Sequence, residues 1–209
     1  ILARAFTIFS SERPGPVHIE IPIDIITSDA DHLDLAPYPL AAPPAPDPTS
    51  VAAAARLLKH ATRPLIAIGG GAKNARHALI ALAERLGAAV VNTVNAKGVM
   101  PYSHPLAVGG SGSQRAVREA FLHADVVLAV GTEFSETDYD FFYHGALDVK
   151  GKLIRIDIDA RQLTRNIRAD LPINSDAALA LSALTAELTP AAAPLADSGI
   201  ERAEALRTA

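Results

Sequence analysis

Four short segments of the sequence carry residues that could bind a nucleotide, namely 69–71, 92–97, 131–133 and 157–159. The first is Gly-Gly-Gly, and the last is Asp-Ile-Asp. Glycines let a backbone approach a phosphate closely, and a carboxylate after a strand can accept hydrogen bonds from ribose hydroxyls. Each segment follows an apolar run, so a parallel sheet would bring all four to one edge. The pattern is compatible with a nucleotide site.

The glycine segment does not complete the dinucleotide-binding pattern G-x-G-x-x-G. Gly69 and Gly71 fit the pattern, but Asn74 stands where the third glycine is required. The segment after the second strand offers Asn92 and Asn95 instead of the carboxylate that an NAD site uses. An NAD-dependent dehydrogenase is therefore disfavoured. Two interpretations of the glycines stay open, a tight strand-to-helix turn and a binding role.

An acidic segment, defined as residues 133–140, follows the third strand. It contains Glu133, Glu136, Asp138 and Asp140 and no Lys or Arg. Such carboxylates could bind a metal or act as acid and base, but capping of the next helix or exposure to solvent is favoured. The seven histidines are scattered and show no metal-site spacing. The residues alone indicate no catalytic residue and no metal site.

Composition excludes several classes of function. The chain has no cysteine, which excludes disulfides, thiolate metal sites and cysteine nucleophiles. The net charge of −4 comes with no block of Lys and Arg, so nucleic acid is not an expected partner. The longest apolar runs are strand-length, far below the ~20 residues that span a bilayer. We therefore expect a cytoplasmic protein without a membrane partner.

Strand and helix patterns alternate along residues 49–189. Runs such as PLIAI, VVLAV and KLIRID are apolar nearly throughout, and helical segments of ten to fourteen residues separate them. This alternation is typical of a parallel sheet covered on both faces. It predicts an α/β domain with a Rossmann-like parallel sheet of about six strands and helices on both faces.

The flanking segments indicate that the chain leads into other domains on both sides. Residues 1–34 read as a helix followed by an apolar strand in RPGPVHIEIPIDI, and the strand lacks a partner. Residues 35–48 are rich in proline, which is typical of a semi-rigid linker. Residues 190–209 are expected to be a second linker and a polar tail.

Taken in order, the motifs resemble thiamine-diphosphate-dependent enzymes of the acetolactate synthase and 2-oxoacid decarboxylase group. GPVHIEIPIDI looks like the last strand of their N-terminal pyrimidine-binding domain. The remaining motifs look like their central domain: RPLIAIGGGA, LAERLGAAVVNTVNAKGVMPYSHPLAVG, ADVVLAVGTEFSE, KLIRIDIDARQLTRN and NSDAALAL.

The resemblance implies a three-domain parent enzyme, usually a homo-oligomer, of which this chain is the middle. Thiamine diphosphate and Mg²⁺ would be held by the pyrimidine-binding domain and by a diphosphate-binding domain that residues 190–209 lead towards. Both sites would lie outside this chain. The chain alone is therefore expected to be inactive.

The resemblance also suggests where the central domain would hold a nucleotide. Acetolactate synthases bind FAD here, oxalyl-CoA decarboxylases bind ADP, and many decarboxylases bind none. Glu133 stands at or beside the position of an arginine of the synthases, which disfavours a flavin diphosphate because like charges repel. The positions that correspond to cofactor-binding residues are Gly70, Gly71, Gly110, Thr132, Asp157, Asp159 and Asp176.

Three hypotheses follow from the resemblance and the residues. The leading one is the central domain of an enzyme that decarboxylates a 2-oxo acid, with the acidic segment favouring a cationic substrate. The second is a free-standing module that binds FAD, ADP or NAD. The third is a purely structural domain, which we favour over nucleotide binding because the glycines suit both roles and the anion-binding arginine is missing.

Overall fold

The computed structural model describes residues 1–33, 36, 38–110, 112–188 and 196–209. Parts of the expected N-terminal unit, linker and tail fall on Asp34, Leu35, Pro37 and residues 190–195, which lie outside the described residues. The chain divides into two units, 1–44 and 45–209, and the division falls in the proline-rich segment.

The first unit contains one helix, α1 (Leu2–Ser11), and no strand among its described residues. The predicted strand in RPGPVHIEIPIDI was wrong for this chain. Turns begin at Pro22, whose carbonyl accepts hydrogen bonds from the amides of Ile25 and Ile26, and Ile23 is 87 % exposed. A strand needs a neighbour to complete its backbone hydrogen bonds, and the described residues of this unit offer none.

The second unit is built on a parallel sheet in the order β2-β1-β3-β4-β5. Its strands are β1 (Pro64–Ile68), β2 (Ala89–Asn92), β3 (Val126–Val130), β4 (Lys152–Asp157) and β5 (Leu171–Asn174). The parallel α/β fold is confirmed, but the described sheet has five strands rather than about six. The position of a sixth holds a single bridge, in which Ala107 pairs with Val90 at the outer edge of β2.

Helices cover both faces of this sheet, as predicted. The helices of the unit are α2 (Pro48–Lys59), α3 (Arg76–Leu86), α4 (Arg115–His123), α5 (Glu136–Tyr139), α6 (Phe141–His144), α7 (Ala177–Glu187) and α8 (Ala196–Thr208). Strand residues alternate between two cores. Ile66 and Ile68 pack with α2, α3 and α7, whereas Leu65 and Ala67 pack with Phe121 of α4 and its neighbours.

Residues 196–208 were expected to be part of a tail but form helix α8. Gly199 lies against the backbone of Gly87, and Ala203 is fully buried. Arg207 donates hydrogen bonds to the carbonyls of Pro105 and Ala107, beside the outer edge of β2. The polar composition of this segment concealed a helix in which Ala203 is buried and Ile200 and Leu206 pack against the core. No described helix is long and apolar enough to cross a membrane.

Candidate functional site

The carboxyl ends of β1 and β3 meet directly, as the strand order requires. The amide of Gly69 donates to the carbonyl of Val130 at 2.9 Å, and the amide of Gly71 donates to that of Gly131 at 3.0 Å. After β1 the chain continues to β2 on one side of this pair, and after β3 it continues to β4 on the other side. In open α/β sheets, nucleotides bind at the point where the connections diverge in this way. The structure thus brings the glycine segment, including the candidates Gly70 and Gly71, beside the segment that contains Thr132.

Packing between the two turns requires glycine whether or not a ligand binds. A Cβ on Gly69 would overlap the carbonyl oxygen of Gly131 and would lie 2.6 Å from the Cα of Thr132. A Cβ on Gly71 would lie 2.8 Å from the Cα of Gly131, whose own φ is +57°. These contacts involve backbone atoms that cannot move aside cheaply. The tight-turn interpretation therefore explains Gly69 and Gly71 without a phosphate.

The backbone amides of the glycine turn already have acceptors. Gly69 and Gly71 donate across to the third strand, as described. Within the turn, Ala72 donates to the carbonyl of Gly69 at 3.0 Å and Lys73 donates to that of Gly70 at 3.3 Å. A phosphate-binding turn presents several such amides to the ligand. Of residues 69–73, all except Gly70 therefore donate their described backbone N–H to a carbonyl of the protein.

Thr132 is buried and takes part in an aromatic cluster. Its hydroxyl lies 3.3 Å from the Tyr139 hydroxyl and accepts a hydrogen bond from the amide of Phe134 at 3.4 Å. Tyr139 packs against the rings of Phe121 and Phe134, and burial raises the pKa of its phenol well above the usual value. The hydroxyl of Thr132 therefore makes its hydrogen bonds with buried groups of the protein.

The acidic segment behaves mainly as helix-capping sequence. The hydroxyl of Ser135 accepts from the amide of Asp138 and donates to its carboxylate, which caps α5. Asp140 pairs with His144 at 2.8 Å, and Glu133 pairs with Arg165 at 3.4 Å. Among the described residues, no three His, Asp or Glu side chains are grouped so as to hold a metal ion. The capping alternative accounts for Asp138.

Asp157 is the last residue of β4, and Asp159 lies in the turn that follows it. The amide of Asp159 donates to the carboxylate of Asp157 at 2.9 Å. Arg161 donates from its backbone and from two guanidinium nitrogens to the carboxylate of Asp159. These hydrogen bonds lower the pKa of Asp159 to about 2. Both carboxylates hold the turn in shape.

The last two candidates lie farther along the same edge. Asp176 caps α7, because its carboxylate accepts from the amide of Leu179 at 3.0 Å. The carbonyl of Gly110 accepts from the amide of Asn92 at 3.4 Å, which ties the long loop to the end of β2. Neither is brought next to the glycine turn by a contact described here.

Sequence reasoning missed Arg155, whose side chain occupies the centre of this edge. The residue is 1 % exposed and lies on β4. Its guanidinium donates to the carbonyls of Arg165 at 2.6 Å, Ile167 at 2.9 Å and Thr132 at 3.1 Å, and lies 5.0 Å from the ring centre of Phe134. The available signal was an arginine inside the apolar run KLIRID, since a buried charge needs partners.

Asn166 completes the connection between the loops that follow β3 and β4. Its side-chain amide donates to the carbonyls of Glu133 at 3.3 Å and Phe134 at 2.7 Å. Asn166 and Phe134 both have positive φ, +61° and +51°, and that conformation is costly for a bulky side chain. We call the set of Arg155, Asn166 and the Glu133–Arg165 ion pair the interloop brace.

Two buried side-chain atoms at this edge have no hydrogen-bond partner among the described residues. They are the hydroxyl of Thr93, directly after β2, and the side-chain oxygen of Gln162, in the 3₁₀ turn after β4. Thr93 is 2 % exposed. Such atoms are the strongest local argument for a ligand, because an unpaired buried polar group is costly.

Comparison with known proteins agrees with this architecture. Residues 51–184 match the family model described as thiamine pyrophosphate enzyme, central domain. A "Probable 2-ketoarginine decarboxylase" of Pseudomonas aeruginosa is 40 % identical over 190 residues, which are 90 % of this chain and 33 % of that protein. A "Probable acetolactate synthase large subunit" of Methanocaldococcus jannaschii is 36 % identical over 200 residues, with coverage of 88 % and 32 %.

Solved structures show the same fold. A thiamin diphosphate-dependent enzyme from Mycobacterium smegmatis superposes with a TM-score of 0.69 at 27 % identity, over 93 % of this chain and 39 % of that one. Benzoylformate decarboxylase from Polynucleobacter necessarius gives 0.71 at 21 % identity, over 90 % and 35 %, which speaks for the fold alone.

The chain spans about a third of the length of the curated relatives it matches. The family match covers well over half of the chain itself and coincides with the five-stranded unit. The chain therefore belongs to the thiamine pyrophosphate enzymes and carries their central domain.

Proposed function

We propose that this chain is part of a longer thiamine-diphosphate-dependent enzyme that decarboxylates a 2-oxo acid with a cationic side chain. The family match over residues 51–184 supports the cofactor class. The similarity to a protein named for 2-ketoarginine supports the substrate class, since that 2-oxo acid carries a guanidinium group. Similarity to acetolactate synthases supports the same cofactor with a different reaction.

The acidic segment is the observation that carries the substrate class. It places four carboxylates within eight residues, without a Lys or Arg among them. Its described ion pairs join Glu133 to Arg165 and Asp140 to a histidine, His144. The segment therefore presents net negative charge, which attracts a cationic substrate and repels an anionic surface.

Catalysis is assigned to regions outside this chain. Thiamine diphosphate supplies the electron sink that a 2-oxo acid needs in order to lose CO₂. We assign the cofactor and Mg²⁺ to a pyrimidine-binding domain, of which residues 1–34 are the end, and to a diphosphate-binding domain beyond residue 209. Residues 35–48 would link the first of these to the central domain, 49–189. The role of the present chain is to space and support its neighbours.

We further infer that the parent enzyme is a cytoplasmic homo-oligomer, as the family resemblance implies. Light scattering on the purified parent protein tests the assembly, and a monomer would contradict it.

A substrate panel tests the proposed function. The parent enzyme, with thiamine diphosphate and Mg²⁺, would be assayed for CO₂ release from pyruvate, a branched-chain 2-oxo acid and 5-guanidino-2-oxopentanoate. We expect the highest kcat/KM for the guanidino compound and no activity from the 209-residue chain alone. Dominant carboligation of pyruvate would contradict the proposal.

Glu136→Gln tests the role of the acidic segment separately. Glu136 is exposed and has no described ion pair, so its replacement should leave the fold intact. We expect KM for the guanidino substrate to rise about two- to threefold, as a screened surface charge allows, and KM for pyruvate, an anion that the lost carboxylate repels, to stay the same or fall. Glu187→Gln makes the same chemical change at an exposed position on α7 and is the control. Equal effects of Glu136→Gln on both substrates would refute the electrostatic role.

A further inference from the structure

We propose that the interloop brace does in this protein what a bound nucleotide does in some relatives, and that the carboxyl edge of the sheet consequently takes neither FAD nor ADP. The proposal concerns the chain's own residues and is independent of the substrate of the parent enzyme.

The first support is that, among the described residues, the glycine turn offers no row of free amides to a ligand. A diphosphate is normally held by several backbone amides or by arginine and lysine side chains. The amides of Gly69, Gly71, Ala72 and Lys73 are bonded to backbone carbonyls. Gly69 and Gly71 are explained by their close contacts with the backbone of Gly131 and Thr132.

The second support is that every arginine described at this edge is already engaged. Arg155 donates to three backbone carbonyls, Arg161 makes a bidentate contact with Asp159, and Arg165 pairs with Glu133. The carboxylates of Asp157 and Asp159 add negative charge beside them. A diphosphate would have to displace these partners and lie among carboxylates, which is unfavourable.

The third support is that the interloop brace joins the loops after β3 and β4 through hydrogen bonds within the protein itself. Thr132, Phe134, Arg165 and Ile167 each contribute a carbonyl to Arg155 or to Asn166. The positive φ of Phe134 persists only because its surroundings enforce it. A loop held in this way needs no ligand to become ordered.

The unpaired hydroxyl of Thr93 does not overturn this argument. With 2 % of its surface exposed, Thr93 lies beneath the edge rather than on it. A hydroxyl that a nucleotide could reach would be exposed to solvent before the nucleotide arrives. The oxygen of Gln162 is likewise in a residue that is buried, and the amide nitrogen of the same side chain donates to Asp159 at 3.4 Å.

Thermal unfolding of the 209-residue chain with 1 mM FAD or 1 mM ADP tests the proposal. We expect Tm to change by less than about 1 °C and no flavin absorbance to remain after desalting. A nucleotide present at a hundredfold excess over its Kd would raise Tm by roughly 5–10 °C. Such a rise, or retained flavin, would overturn the proposal.

A variant of the interloop brace provides a second test of the proposal. Asn166→Gly removes both side-chain hydrogen bonds and keeps a residue that accepts positive φ, so it should fold with a lowered Tm. Addition of FAD or ADP should leave that lowered Tm unchanged. Recovery of Tm with either nucleotide would show that the edge can accept one and would overturn the proposal. Failure of the decarboxylase assay would leave both results unaffected.

Discussion

Replacing Arg155 by methionine removes the guanidinium that joins the loops after β3 and β4 and keeps an apolar stem of similar length. Three hydrogen bonds from a charged donor are lost, and each contributes about 1.5–3 kcal/mol. The variant also avoids burying a charge, which costs several kcal/mol and already lowers the pKa of Arg155. The net loss in the free energy of unfolding should be about 3 kcal/mol.

Urea denaturation of the chain and its variant measures this loss. With a slope of about 2 kcal/mol/M, the midpoint should fall by roughly 1.5 M. Arg115→Met is the matched control, because Arg115 is exposed and its surface pair with Glu119 should not shift the midpoint measurably. If the urea midpoint of Arg155→Met stayed within about 0.3 M of the midpoint of the unsubstituted chain, the interloop brace would not stabilise this edge and the reasoning would be refuted.

Three further predictions concern the same edge. Thr93→Val should raise the free energy of unfolding by about 1 kcal/mol, because it removes a buried hydroxyl that has no partner among the described residues. Thr132→Val should lower the free energy of unfolding by about 1 kcal/mol, because it removes a hydroxyl that is hydrogen-bonded. Equal effects of the two variants in urea melts would contradict the assigned hydrogen bonds. Gly71→Ala should destabilise the chain by about 2 kcal/mol through backbone overlap, and a neutral result by the same assay would argue against that close contact. The hydrogen bonds from Arg161 lower the pKa of Asp159 to about 2. The contribution of Asp159 to stability is therefore complete above the pKa of the unfolded state, near 4, and disappears as the pH falls through 2. Asp159→Asn should remove this part of the pH dependence, and identical acid-unfolding curves of the two proteins would disprove the prediction.

The sequence was sufficient to predict the parallel sheet and the meeting of the strand ends. Apolar runs such as VVLAV allow few alternatives, and parallel order brings their carboxyl ends together whatever the side chains are. The strand predicted in RPGPVHIEIPIDI failed because strand formation depends on a partner, which a local pattern cannot supply.

The brace could not be predicted because its contacts join residues that are distant in sequence. Arg155 reaches Thr132 across 23 positions, and Asn166 reaches Phe134 across 32. Its acceptors are backbone carbonyls, which no residue type marks. The role of the glycine turn could not be predicted either. A glycine at position 71 is compatible with a bound phosphate and with a close backbone contact, and the position of Gly131 in the structure favours the contact.

The proposal that this chain is part of a thiamine-diphosphate-dependent decarboxylase of a 2-oxo acid with a cationic side chain is tested most directly by CO₂ release from 5-guanidino-2-oxopentanoate by the parent enzyme. We predict release that requires thiamine diphosphate and a kcat/KM at least about tenfold above that for pyruvate. Release that does not depend on thiamine diphosphate, or a preference for pyruvate, would contradict it.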